Sequence, residues 1–170
     1  MPALTAGQII ELLGLEPLPE EGGLFRQTYR SAEQVPAAAL PPRYTAPRQF
    51  ATAIYYLLTD EPDSFSALHR LKSDEVYHFY LGDPVEMLLL HPDGSSERIL
   101  LGRELAAGQQ VQFVVPAGAW QGSRLIRGGF ALLGTTMAPG YEQDDFELGK
   151  REDLLRDYPG QAELIRGLTR

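Results

Sequence analysis

From Phe50 to Met137 apolar and polar residues alternate in short runs broken by turn residues, a pattern that predicts strands rather than helices. Residues 51–58 (ATAIYYLL) read as a buried strand, and 65–71 (FSALHRL) and 75–81 (EVYHFYL) follow, split by Lys72-Ser73-Asp74. Residues 85–91 meet 96–101 across Pro92-Asp93-Gly94, where Asp-Gly is a strong hairpin signal. QVQFVVP, WQGSRLI and FALLGTTM supply three more strands. Short strands at this spacing, with no strand–helix–strand alternation, predict an all-β sandwich or barrel.

The flanks differ. Thr5 to Gly14 predicts one short helix, with Thr5 as cap, Ile9, Ile10, Leu12 and Leu13 as an apolar stripe, and Gly14 as stop. EPLPEEGG (16–23) breaks the chain, and LFRQTYRS (24–31) resumes as a two-faced strand, Phe25, Gln27 and Tyr29 against Arg26, Thr28 and Arg30. This strand lies outside the main β-block, where it is able to pair with the sheet edge of a second copy. Residues 35–47, rich in Ala and Pro, read as a surface loop. Residues 151–170 return to helix in two segments around Tyr158-Pro159-Gly160. The whole chain, 1–170, therefore reads as a single domain: helix 5–14, β-barrel about 24–140, helical tail 151–170.

Composition narrows the function classes. The 170 residues hold no cysteine, which removes disulfides, thiolate nucleophiles and cysteine-ligated metal centres. A net charge of −8 without a basic run argues against nucleic acid as partner. No apolar stretch approaches the roughly 20 residues that span a bilayer, so no membrane partner is expected. The N-terminal MPALTAGQIIELLG lacks the marks of a signal peptide, and a cytoplasmic location is the expectation. Dinucleotide-binding, P-loop, serine-elbow and HExxH motifs are all missing from the sequence.

Candidate chemistry concentrates in HRLKSDEVYHFYLGD (69–83). His69 ends an apolar strand, where a histidine serves as base, metal ligand or plain hydrogen-bonding partner. Glu75, beyond the tight turn, is able to return to the same cavity, and His plus carboxylate is the minimal kit for acid–base work or part of a metal site. Asp74 reads as a solvent-facing turn residue. Strict alternation puts Tyr77 and Phe79 on the side of Glu75 and His78 on the other, and only a bulge brings His78 into the pocket. VVPAGAWQG (114–122) adds Trp120, a core or interface residue or a pocket wall, and Gln121, which offers donor and acceptor. In TTMAPGYEQDDFEL (135–148) the acids read as a solvated connection, with Tyr141 and Phe146 placed to cover the barrel mouth.

Taken together, EGGLFRQTYR, TAIYYLL, HRLKSDEVYHFYLGD, LLLHPDG, VVPAGAWQ and TTMAPGYEQDDFEL, in this order over about residues 9–158, resemble the cupin superfamily, and more closely an uncharacterised cupin family of domain-of-unknown-function type. The resemblance implies a β-jelly roll (double-stranded β-helix) with small flanking helices, a homodimer and a small-molecule pocket inside the barrel. The general cupin pattern carries three histidines and a glutamate. Aligned on Glu75 and Gly82, and on Pro116 and Gly118, it puts His69 on the first histidine, Leu71 on the second and Gln121 on the third. The ligand set is thus reduced to His69, Glu75 and Gln121, so no cofactor is expected, and a divalent metal, if one binds, falls on those three. The chain is also distantly similar to the metal-free dTDP-sugar epimerases. That similarity implies an isomerase or epimerase of a sugar, nucleotide sugar or similar carbonyl compound: His69 as base, Glu75 orienting it, Tyr77 as acid, and Arg26 or Arg30, with His78, Trp120 and Gln121, binding substrate. The alternatives are a non-catalytic binding cupin and a metal-dependent enzyme with a reduced ligand set.

Overall fold

The computed structural model describes residues 4–170. Thr5 caps helix α1 (Ala6–Leu13) in a reciprocal box with Gln8, and Gly14 ends it in the left-handed conformation. Thirteen strands follow: β1 (Glu16–Pro17), β2 (Leu24–Arg30), β3 (Gln34–Val35), β4 (Arg48–Gln49), β5 (Thr52–Thr59), β6 (Ser66–Arg70), β7 (Glu75–Gly82), β8 (Val85–Leu90), β9 (Ser96–Leu101), β10 (Gln112–Val115), β11 (Trp120–Leu125), β12 (Phe130–Met137) and β13 (Glu147–Leu148). Helices α2 (Arg151–Asp157) and α3 (Ala162–Gly167) close the fold.

Two sheets face each other, one ordered β1-β2-β5-β12-β7-β10 and the other β13-β6-β11-β8-β9, with β3 and β4 as a separate ribbon. Neighbouring strands run antiparallel throughout. This is a β-jelly roll with small flanking helices, and its main core lies between the sheets, where Tyr56, Leu58, Phe79, Met87, Leu89 and Leu133 are buried. The predicted hairpin joins β8 and β9 with Leu90 opposite Ser96.

The outer faces are covered unequally. Leu68, Leu88 and Leu90, on the outer face of the second sheet, pack under Leu154, Leu164, Ile165 and Leu168 of the tail. Helices as short as α2 and α3 do not persist alone, so this packing is what holds them. Helix α1 covers only one end of the first sheet, through Ile9 on Leu57 and Leu132. Tyr29 and Tyr80, farther along that face, are exposed. No helix of the described residues is long and apolar enough to cross a membrane.

Two expectations change. LFRQTYRS is not outside the β-block: β2 pairs with β5 over Leu24–Arg30 as an integral strand of the six-stranded sheet. Residues 35–47 are largely loop, but not a loose one. Tyr44 is buried and donates from its hydroxyl to Lys72 O at 3.0 Å, and Arg43 Nε donates to the same carbonyl at 2.7 Å. Arg170 likewise reaches back, donating to Glu20 O at 3.3 Å and Asp63 O at 3.2 Å, while Leu68 N donates to Leu168 O at 2.7 Å.

Candidate acid–base site in the barrel

Alternation along β6 sends Leu68 outward to the tail and turns His69 inward. Its Nδ1 lies 2.8 Å from Ala67 O. A carbonyl only accepts, so Nδ1 carries the hydrogen and Nε2 is left facing Glu21 Oε2 at 4.0 Å. Phe146 stacks on the imidazole, with ring centroids 5.2 Å apart at 22°. Glu21 is seated by a tight loop. Gly22 and Gly23 take φ of 100° and 69°, Tyr56 Oη donates to Gly22 O at 3.0 Å, and Ala67 N donates to Glu21 O at 2.8 Å. Ser66 Oγ then donates to Glu21 Oε1 at 2.8 Å.

Glu75 opens β7 on the inner face and is 6% exposed. Gln121, paired with His69 in register across β6 and β11, donates from Nε2 to Glu75 Oε2 at 2.7 Å. Burial pushes the Glu75 carboxyl up from the usual range; His69 opposes this, Glu21 reinforces it, and the Thr135 and Gln121 hydrogen bonds oppose it. The Tyr77 and Tyr56 phenols are pushed well up, again mainly by burial, with the carboxylates adding to it. They remain protonated donors at neutral pH.

Of these, Glu21, Glu75, Thr135 and Phe146 line a cavity of about 120 Å³, with His69, Gln121, Tyr56 and Tyr77 outside its wall. Glu21, Glu75, Gln27, Thr52, Thr135 and Tyr141 form its polar wall, and Leu18, Phe25, Leu71 and Phe146 are among its apolar ones. Chemically this is a small, mostly closed space with two carboxylates of different surroundings, an arrangement suited to proton transfer.

The structure sorts the residues expected from sequence. His69, Glu75, Tyr77 and Gln121 come together inside the barrel, although His69 stands behind Phe146 and Glu75 does not orient it; the Ala67 carbonyl does. His78 lies on the outer face, stacked on Tyr80 and 3.2 Å from Gln112 Nε2. A bulge exists in the β7–β12 pairing, but it falls between Phe79 and Leu81, too late to turn His78 inward. Trp120 also faces outward, packed against the tail with the Arg70 guanidinium 4.5 Å from its ring centroid. Arg26 donates to Leu13 O at 2.9 Å on the side of α1, away from the cavity. A second bulge, at Thr28, breaks the alternation of β2 and sends Arg30 to the barrel rim, where it pairs with Glu142 and donates to Gln49 Oε1 at 2.8 Å. Tyr141 and Phe146 do line the cavity. Asp145 is no solvated acid: it is buried and held by both arms of Arg48, at 2.7 and 2.6 Å.

Glu21, Ser66, Tyr56 and Thr135 were not anticipated. The Glu-Gly-Gly step was the available signal for Glu21, because paired glycines allow the sharp turn that aims it inward. As a metal site the donor set fits poorly. Leu71 carries no donor, and among the described residues no group of three or more His, Cys, Asp or Glu side chains is placed to hold a metal ion.

A family model described as Cupin superfamily (DUF985) matches residues 7–149. The chain is 37% identical to protein SO0799 from Shewanella oneidensis, whose crystal structure has a TM-score of 0.84 with 99% of each chain covered. A hypothetical protein from Leishmania major is 31% identical, with a TM-score of 0.86, over 98% of this chain and 99% of that one. The uncharacterized protein YML079W of Saccharomyces cerevisiae is 29% identical over 150 residues, 82% of this chain and 73% of the yeast protein.

Proposed function

The chain belongs to the DUF985 family of the cupin superfamily, and from that premise we propose that its barrel is a metal-independent acid–base site, an isomerase or epimerase of a small carbonyl compound. The observation that carries this reading is the pair of carboxylates, Glu21 and Glu75, on one small cavity, the first facing the His69 imidazole and the second pushed toward its protonated form by burial. Glu21 takes a proton from the carbon beside the carbonyl. The C–H electron pair becomes a C=C bond, and the carbonyl oxygen takes a proton from Glu75. If the new hydroxyl gives its proton back and the same carbon is reprotonated on its other face, the configuration inverts; if instead the hydroxyl already on the neighbouring carbon loses its proton and the former carbonyl carbon gains one, the carbonyl moves to the neighbouring carbon. His69 acts through Glu21 as a positioning residue, and Tyr77 lies against Glu75 with its phenol protonated.

A cavity of about 120 Å³ is below the roughly 300–1,000 Å³ of drug-sized sites, which favours a compound of a few carbons over a nucleotide sugar. Incubating the protein with glycolaldehyde, glyceraldehyde and dihydroxyacetone in D2O is expected to show carbon-bound deuterium by NMR, and Glu75→Gln is expected to slow it about a hundredfold or more. Binding without exchange from any of the three supports the second reading, a binding cupin, which the screening of His69 by Phe146 favours. Elemental analysis of protein purified without chelators is expected to find no stoichiometric metal; a full equivalent of a transition metal overturns the metal-independent reading.

A homodimer belongs to the same proposal. Among the described residues no strand pairs with the outer side of β2 from Arg26 to Arg30, leaving an edge for a second copy. Light scattering at micromolar protein is expected to give twice the chain mass, and a monomer there removes the dimer.

A further inference from the structure

We propose that the compound this cavity takes carries a protonated amine, bound between Glu21 and Glu75. The inference rests on the acid–base reading of the cavity and names the class of its substrate.

Charge is the first argument. The wall holds two carboxylates and no Lys or Arg. The nearby guanidinium groups are engaged elsewhere: Arg48 with Asp145, Arg30 with Glu142 and Gln49, and Arg26 with Leu13 O on the side of α1. His69 is the one group able to add positive charge, and it faces Glu21 from behind Phe146. An anionic compound would meet the Glu21 carboxylate in a low-dielectric interior, beside the proton-holding Glu75 carboxyl and with no counter-charge on the wall, whereas a cation supplies one.

Hydrogen-bonding capacity points the same way. Gln121 Oε1, on the amide that holds Glu75, is buried and accepts no hydrogen bond. Two nearby tyrosine hydroxyls are engaged elsewhere: Tyr56 Oη on Gly22 O at 3.0 Å, and Tyr141 Oη on Gln143 Oε1 at 2.9 Å. Gln121 Nε2 and Ser66 Oγ each donate to only one oxygen of Glu75 and Glu21, and an ammonium group brings three further N–H and no acceptor. Phe25, Tyr141 and Phe146 add aromatic surface on the same wall, which also favours a cation. An ammonium beside a carbonyl further acidifies the carbon between them, which eases the proton removal proposed for Glu21. The net charge of −8 draws cations to the molecule as a whole.

Three compounds of one size and different charge test this: ethanolamine, ethylene glycol and glycolate. Each is titrated into the full-length protein and followed by amide NMR. Ethanolamine is expected to bind about tenfold or more tightly than ethylene glycol, with glycolate weakest. Glu21→Gln, checked for folding by circular dichroism, is expected to abolish most of that preference, and Arg26→Ala to leave it intact. Glycolate binding as well as ethanolamine, a preference that survives Glu21→Gln, or no response of the cavity amides to any of the three overturns the proposal. The wild-type comparison decides even where a variant does not fold. Amine preference without carbon-bound deuterium exchange sinks the acid–base reading alone; exchange without amine preference sinks the amine alone.

Discussion

Glu75 sits where burial raises its pKa, and that has a stability consequence of definite sign. A carboxyl that holds its proton more tightly when folded makes the folded state lose stability as pH rises from the unfolded value, about 4.3, through the raised folded value. Glu75→Gln removes that loss. The variant is therefore expected to gain stability relative to the wild type on going from about pH 4 to about pH 7, read by urea unfolding at both. A constant difference would mean that Glu75 ionisation is not linked to folding. Gln121→Leu takes away the donor at 2.7 Å that favours the ionised carboxylate. In that variant the infrared band of the protonated carboxyl is expected to persist to higher pH than in the wild type; a band that disappears at the same pH would remove the positioning role of Gln121.

At the scale of elements, two irregular segments complete the site between regular strands. The 18–23 loop delivers Glu21, and the 141–148 segment delivers Tyr141 and Phe146. The second segment is anchored by Asp145, buried against Arg48. Asp145→Asn leaves a buried guanidinium uncompensated and is expected to cost about 3–5 kcal/mol in urea unfolding; a cost below about 1 kcal/mol would mean that the segment is held by other contacts. The strands were legible in the sequence because turn residues bound them and alternation marks their faces. Glu75, Tyr77 and His69 could accordingly be set in one interior from spacing alone. The bulge at Thr28 was not legible, since an unpaired extra residue leaves no trace in hydrophobic pattern, and so Arg26 and Arg30 were given one common role. Asp145 resembled a solvated acid because its partner stands 97 residues earlier. Glu21 was hidden for a different reason: proline and glycine around it signal a turn, but not which way a side chain in the turn points.

Over the whole molecule, stability and site draw on different layers. The tail seals the outer face of one sheet, and Ile165 is wholly buried there. Ile165→Ala is expected to cost about 2–5 kcal/mol, measured by urea unfolding, and to leave ligand binding in the cavity intact because Ile165 belongs to the outer cluster and does not line the cavity. Loss of binding together with stability would instead tie the tail to the site. One contact runs from this layer to the pocket: Arg170 grips the loop that carries Glu21, across 150 positions of the chain. On a ribosome adding roughly 5–20 residues per second, that separation amounts to about 8–30 s. Only late in that interval, after Leu148, does the nascent chain hold every strand of the barrel while still lacking the Arg170 contact to the loop that carries Glu21.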